Sequence, residues 1–278
     1  MEINPGKYIR EKHYTPIIAV EFHPIHKNLF FTLSEKRLYI YDSETPTLDI
    51  LSFCELETPA VSGCWLEEAH PLLCIASAHS LHFISIPKSI EIHTEEIKGD
   101  TIKEVVCKDR LLLCRAEKGI YRICMETGEA ALILRERTKA CVICSKDTFA
   151  VLTTKNKLMT FVLEDNTAAE TENPVSGTFF LHLNKKAARF MINGEQTAIE
   201  ILCKTAIAVL SENWVVVGTE CGCLSVCLLA PGNIKRVFGI EKTSFSRSSS
   251  EITVIATRKG FVLAGNTYGG VWVYQVDV

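Results

Sequence analysis

Short apolar runs recur from one end of this chain to the other, each closed by turn residues, and that spacing excludes most folds. Candidate strands fall at 16–22 (PIIAVEF), 28–33, 37–42 and 48–53. They continue at 60–65, 72–77, 80–86 and 90–95, and at 102–107, 110–115, 119–124 and 130–135. The runs are about five to seven residues long and rich in Val, Ile, Leu, Phe and Tyr, which is strand composition. No segment sustains apolar residues at i, i+3, i+4 and i+7 over about 12 residues, so the pattern predicts an all-β chain.

The strands come in groups of four, at a spacing of about 40 residues, the period of a β-propeller blade. "VVVGTECGCLSVCL" (215–228) aligns without a gap on "VLAGNTYGGVWVYQ" (262–275), at an offset of 47. Gly218 matches Gly265 and Gly222 matches Gly269; Leu224 and Val226 match Val271 and Val273. Glycine supplies the positive φ that a tight strand-to-strand turn demands. Residues 140–163, 178–202, 206–240 and 251–276 supply the remaining groups, giving seven blades, with six as the alternative. The polar, proline-containing stretch 164–177 (EDNTAAETENPVSG) reads as a surface loop or insertion in a single domain over 1–278. Two domains divided at that loop are the alternative. The last hairpin lacks an outer strand, and 7–14 (KYIREKHY) is the candidate to supply it, closing a ring by pairing the two ends of the chain.

Composition narrows the function classes. Of 278 residues, 47% are hydrophobic and 23% charged, a globular balance. The net charge of −3 argues against direct nucleic-acid binding, which usually shows a basic face. No run approaches the ~18 apolar residues of a membrane-crossing helix. The start, MEINPGKYIREKHY, has no apolar core like that of a signal peptide. The expectation is an intracellular protein, the nucleus favoured over the cytoplasm, with no membrane partner. Most of the twelve cysteines sit inside apolar runs (Cys74, Cys114, Cys124, Cys227), where a free thiol behaves as a small hydrophobe.

Motifs for covalent chemistry or metal binding are weak. Cys141-Val-Ile-Cys144 lies in an alternating strand, where residues three apart face opposite ways, so it predicts strand core rather than a zinc or redox pair. Cys221-Gly-Cys223 sits on a turn before a strand, exposed at one rim; an ordinary turn is the expectation, with a reactive thiol as the minor alternative. His23 and His26 flank a turn, His70, His79 and His82 gather in the second group, and His79 and His82 diverge along a strand. Neither a metal site nor a cofactor is expected. No phosphate-binding glycine loop and no G-x-S-x-G elbow is present. The Ser-rich 243–250, with Arg247, reads as a connector open to phosphorylation.

"VEFHP" (20–24), "AHPLLCIAS" (69–77) and Tyr41-Asp42 in "RLYIYDSE" resemble parts of WD40 repeats, and the strand pattern resembles the WD40 β-propellers over nearly the whole length. The signature pairs have eroded: no Gly-His opens a repeat, no Trp-Asp closes one, and Trp272 has no following Asp. Within 15–135, "TPIIAVEFHPIHKNLFFTLSEKRLYIYD", "VSGCWLEEAHPLLCIASAHSLHFISI" and "GDTIKEVVCKDRLLLC" resemble the embryonic ectoderm development family, the propeller subunits of Polycomb repressive complex 2.

That resemblance implies a non-catalytic scaffold in a chromatin-modifying complex, with other protein subunits as partners, among them a SET-domain methyltransferase or a histone peptide. It also implies an aromatic cage that holds trimethyl-lysine by cation–π attraction. Carried over by residue, the cage is degenerate: Phe22 falls on one position, another falls near Val61, and the remaining pair near Leu202 and Cys203. Phe22 is therefore the one candidate binding residue, at a peptide site on the loop face. Alternatives are a scaffold of a trafficking, nuclear-pore or RNA-processing complex, or a propeller enzyme, for which no cluster of carboxylates or histidines is seen.

Overall fold

The computed structural model describes residues 2–9, 13–45, 47–86, 90–155, 157–164, 167–171, 179–184, 187–192, 195–200, 204–211, 214–230, 233–240, 250–258 and 260–277. The protein is all-β, and no helix occurs among the described residues. After β1 (Glu2–Ile9), the chain lays down β2 (Ile17–Phe22), β3 (Leu29–Ser34), β4 (Arg37–Asp42) and β5 (Ile50–Glu55) as a first antiparallel sheet. The second sheet is β6 (Ala60–Leu66), β7 (Leu72–Ser77), β8 (Ser80–Ser85) and β9 (Ile90–Glu96). The third is β10 (Ile102–Lys108), β11 (Leu111–Ala116), β12 (Ile120–Ile123) and β13 (Ala130–Leu134). The fourth is β14 (Thr138–Ser145), β15 (Thr148–Thr153), β16 (Leu158–Glu164) and β17 (Thr167–Thr171). The fifth has three described strands, β18 (Phe179–Asn184), β19 (Ala187–Ile192) and β20 (Glu195–Glu200). The sixth is β21 (Lys204–Ser211), β22 (Trp214–Thr219), β23 (Leu224–Ala230) and β24 (Asn233–Ile240). The last joins β25 (Ile252–Arg258), β26 (Phe261–Asn266) and β27 (Val271–Asp277) to β1.

An N-terminal strand therefore does complete the last sheet; it shares 7–9 with the expected 7–14 but begins five residues earlier, at Glu2. β1 runs antiparallel to β27, with Tyr8 opposite Trp272 and Glu2 opposite Asp277. Pro5-Gly6, which looks like a turn, lies in a bulge between Asn4 and Lys7 on this outermost strand, where a proline breaks no inner ladder. Of the segment read as a surface loop, Thr167–Thr171 form the exposed outer strand β17; its residues 165–166 and 172–177 lie outside the described residues. The Ser-rich stretch also falls outside, except Ser250.

The core lies between sheets, not within one layer. Phe31, Leu33, Leu38 and Ile40 of the first sheet pack on Trp65, Leu73, Ile75 and Ile84 of the second. Equivalent layers join the second sheet to the third, the third to the fourth, the sixth to the last and the last to the first. The first, second, third and last sheets are thus covered on both faces, and this is why their second strands read as unbroken apolar runs: β3 is buried at all six positions. At about 25 cal/mol per Å² of apolar surface, such double burial is the main stabilising term.

First strands lie side by side. β2 neighbours β6 and β25; β6 neighbours β10, β10 neighbours β14, β14 neighbours β18, β18 neighbours β21, and β21 neighbours β25. Side chains tie them across the gaps. Trp65 N–H donates to Glu21 Oε2 (2.9 Å), and its indole Nε1–H to the Glu21 carbonyl (3.1 Å). Val105 N–H donates to Ser62 Oγ (3.2 Å), and Thr253 Oγ1–H to the Ile17 carbonyl (2.6 Å).

Candidate functional site

The strands present two ends to solvent, and the two are built differently. At the entry end, where first strands begin, the turns between second and third strands meet the segments that lead from sheet to sheet. Backbone bonds join them: Ala60 N–H to Glu35 O (2.8 Å), Ile102 N–H to Ala78 O (2.8 Å), Glu117 N–H to Thr101 O (2.9 Å) and Thr267 N–H to Glu251 O (3.0 Å). Backbone fixed in this way holds loop side chains in place, the condition for a recognition surface on a rigid frame.

The first and last sheets meet at this end around His13. Thr32 and Ser34 are buried hydroxyls on the otherwise apolar β3, and burial without partners would cost each of them on the order of 1–3 kcal/mol. His13 supplies both partners, Nδ1 to Ser34 Oγ (2.8 Å) and Nε2 to Thr32 Oγ1 (2.7 Å). Ser34 donates onward to the Arg37 carbonyl, so its oxygen accepts from Nδ1–H, and Nε2 accepts from Thr32. Burial first, and then the Arg37 charge, push the imidazole down to about 4, so it is neutral at pH 7. The ring meets Tyr39 edge-on at 4.8 Å.

The next residue, Tyr14, points out. It is 75% exposed and holds φ at +61°, a left-handed backbone that bulky residues avoid. The Arg37 guanidinium lies over its ring, 4.7 Å from the centroid, and Arg37 also pairs with Glu55 (3.3 Å). Against Tyr14 lies the β26–β27 turn. Gly269, with φ at +76°, comes so close that a Cβ there would stand 2.9 Å from Tyr14 N and 3.0 Å from Thr15 O. Asn266, buried, locks that turn: its Oδ1 accepts from Tyr268 N–H (3.0 Å) and Gly270 N–H (2.8 Å), and its Nδ2 donates to Ser250 Oγ (2.8 Å). Tyr268, at the tip, is 62% exposed. The seam thus mounts two tyrosines and an arginine, residue types enriched at binding hot spots.

Phe22 lies at the opposite, exit end, as the last residue of β2. It is buried, packed on Phe30 (5.9 Å) and Phe261 (6.4 Å). Val61 is exposed but distant: Trp65 is level with Glu21, which sets Phe22 beside Leu66 and Val61 near the far end of β6. Five residues of strand are about 16 Å. Leu202 and Cys203 lie outside the described residues. The structure does not bring Phe22 and Val61 together.

Around Phe22 the exit end holds a ring cluster. His23, buried, packs at a tilt on Trp65 (4.6 Å) and edge-on to His26 (4.7 Å). Its Nδ1 accepts from Ile25 N–H (3.1 Å) and His26 N–H (3.0 Å), which leaves the proton on Nε2, buried with no partner among the described residues. Burial, then the charges of His26 and Arg258, push His23 down to about 4. Burial pushes the neighbouring Glu21 carboxyl up to about 8, against the Trp65 N–H that favours its ionised form.

The remaining motifs separate. Cys141 is buried and Cys144 half-buried on β14, and burial pushes both thiols up. His79 bonds the Asp100 carbonyl (2.8 Å), while His82 reaches Thr58 (3.4 Å). Among the described residues no group of three or more His, Cys, Asp or Glu side chains could hold a metal. Cys124, expected in the core, is exposed instead. It ends the run at a turn, with its thiol pulled down by the Thr127 hydroxyl, beside a depression of about 540 Å³ lined by Arg110 and Arg122.

His13 and Tyr14 were missed by sequence reasoning, hidden at the end of a segment read as strand. The legible signal was Thr32 and Ser34, polar positions in a strand apolar on both faces, which require a partner from elsewhere. No family model matches this chain, and no curated protein matches it significantly.

Proposed function

We propose that the protein is a non-catalytic interaction scaffold, a β-propeller of seven blades closed on itself, which binds a partner protein through the entry-end seam of Tyr14, Arg37 and Tyr268. The order of neighbouring first strands supports the ring, since it returns from β25 to β2. So does the pairing of β1 with β27, which joins the two ends of the chain in one sheet. The observation that carries the binding role is Tyr14: an aromatic side chain held out to solvent on a left-handed backbone. Such a conformation costs on the order of 1–3 kcal/mol and persists only where the surroundings enforce it.

Affinity capture tests this, with the wild-type chain beside a Tyr14→Ala/Tyr268→Ala double variant. The expected result is a set of proteins retained by wild type and lost by the folded double variant; equal retention overturns the site. The resemblance of residues 15–135 favours a histone-methyltransferase complex as the assembly. Recovery of a SET-domain protein supports that reading, and recovery of coat, pore or RNA-processing subunits replaces it. A trimethyl-lysine histone peptide is expected not to bind at micromolar concentration, since Phe22 is buried and Val61 lies elsewhere.

A further inference from the structure

Cys221 and Cys223 occupy the turn between β22 and β23, at the same end as Tyr268. Thr219 N–H donates to Cys223 O (3.0 Å) and Gly222 N–H to Thr219 O (3.2 Å), so the turn is closed by backbone bonds. Between the cysteines Gly222 holds φ at +80°, with the Ser250 carbonyl where a Cβ would stand, 2.7 Å away. No other residue fits without moving that segment. The geometry sets the two sulfurs 3.6 Å apart. Cys221 is exposed and Cys223 half-buried.

We infer that Cys221-Gly222-Cys223 is a thiol–disulfide exchange site for small-molecule disulfides of the glutathione class, closing reversibly to an internal disulfide. The Cys221 thiolate attacks one sulfur of the small disulfide, forming a mixed disulfide and releasing one thiolate. Cys223 loses its proton to solvent and attacks the Cys221 sulfur. The internal S–S bond forms, and the second small thiolate leaves. Two protein thiols give up two protons and two electrons, and the small disulfide is reduced to two thiols.

Three features separate this pair from the other cysteines. Thr219 Oγ1 stands 3.0 Å from Cys221 Sγ, and its hydroxyl, followed by Cys223 and local backbone N–H groups, pulls the Cys221 thiol down toward the reactive form. Cys64 and Cys74 also face each other, across β6 and β7, but both are buried and the Cys64 thiol is pushed well up, so they are inert. Second, a bond between residues two apart closes almost no loop. It restrains the unfolded chain little and is readily reduced, as a regulatory disulfide must be. Third, the sulfurs need to approach by about 1.5 Å to reach the ~2.05 Å bond length, within reach of side-chain rotation.

The test is incubation of the folded, reduced chain with glutathione disulfide, followed by alkylation and peptide mass analysis. In wild type the peptide carrying 221–223 is expected to lose the mass of two hydrogens, carry no adduct, and recover on reduction. Cys223→Ser is expected to stop at a glutathione adduct on Cys221, and Cys221→Ser to give no internal disulfide; neither should alter the circular dichroism spectrum. Two outcomes overturn the site. One is a lasting adduct on Cys221 in wild type. The other is a 221–223 peptide left untouched while Cys124, exposed and single, reacts.

Discussion

His13 at the entry end and His23 at the exit end are both buried, both neutral at pH 7, and both close to an aromatic ring, yet they do opposite work. His13 is satisfied on both nitrogens and satisfies two hydroxyls in return, so it is a polar rivet between the first sheet and the seam. His23 accepts two backbone bonds on Nδ1, has no Nε2 partner among the described residues, and packs its ring against Trp65 and His26. The entry-end histidine is positioned by side-chain hydrogen bonds on both nitrogens, the exit-end one by backbone bonds on one nitrogen and by ring contact. Hydrogen bonds fix direction, which a presented side chain such as Tyr14 needs; ring contact fixes volume, which a core needs.

The largest effect is therefore expected at the exit end. Trp65→Ala removes a side chain that is 1% exposed, together with its indole bond to the Glu21 carbonyl. It should cost about 4 kcal/mol in equilibrium unfolding by urea, as large aromatic truncations in cores do. His13→Ala removes less volume but leaves the Thr32 hydroxyl buried without its imidazole partner. It should cost about 2 kcal/mol, mostly as unsatisfied polar burial. If His13→Ala costs more than Trp65→Ala, the division between polar and packed ends is broken.

A smaller effect, of order 1 kcal/mol, sharpens the comparison through pH. His13 and His23 have folded pKa values near 4 against an ordinary 6.5, so the unfolded chain binds more protons between those values. The stability they provide is present above about 6.5 and is lost as pH falls toward 4. Glu21 works the other way: its folded pKa near 8 stands above the ordinary 4.5, so the folded chain binds more protons in between, and stability is lost as pH rises through that range. Below 6.5 two histidines outweigh one carboxyl, and above it the carboxyl acts alone. Urea midpoints should therefore peak near pH 6.5. Glu21→Gln should flatten the alkaline side, and His13→Gln should flatten part of the acid side.

Much of the architecture was legible because it rests on periodicity. Second strands buried on both faces read as unbroken apolar runs, and first strands alternate. The repeat at offset 47 aligned the β22–β23 and β26–β27 hairpins, whose glycines at 222 and 269 both hold positive φ. The start of β1 was placed five residues late because Pro5-Gly6 imitates a turn, although a bulge on an outer strand tolerates both. The site was less legible for a different reason. Phe22 sits at a strand end in a pattern that says only "apolar", and whether such a residue faces a groove or a neighbouring sheet depends on packing between sheets far apart in sequence. His13 bonds residues 19 and 21 positions away, and Tyr14 rests against a glycine from the far end of the chain. No local window contains either relation.

The smallest expected change in stability belongs to the residue with the largest expected functional effect. Tyr14→Gly removes the cost of a left-handed tyrosine, about 1 kcal/mol, because glycine adopts that backbone freely. It also removes the exposed contact with Arg37, worth about 0.5–1 kcal/mol. The two nearly cancel, and the urea midpoint should stay within about 0.5 kcal/mol of wild type, the range of ordinary surface substitutions. Capture of the partner protein should nevertheless fall by about tenfold or more, as loss of an aromatic hot-spot residue implies. Tyr14→Asn, which also tolerates left-handed backbone, should behave alike. If the variants lose stability while keeping the partner, Tyr14 is a structural clasp for Arg37 and the seam presents nothing. If stability holds and the partner is lost, the strained backbone serves to aim the ring outward, and the polar rivet beneath it serves to keep it there.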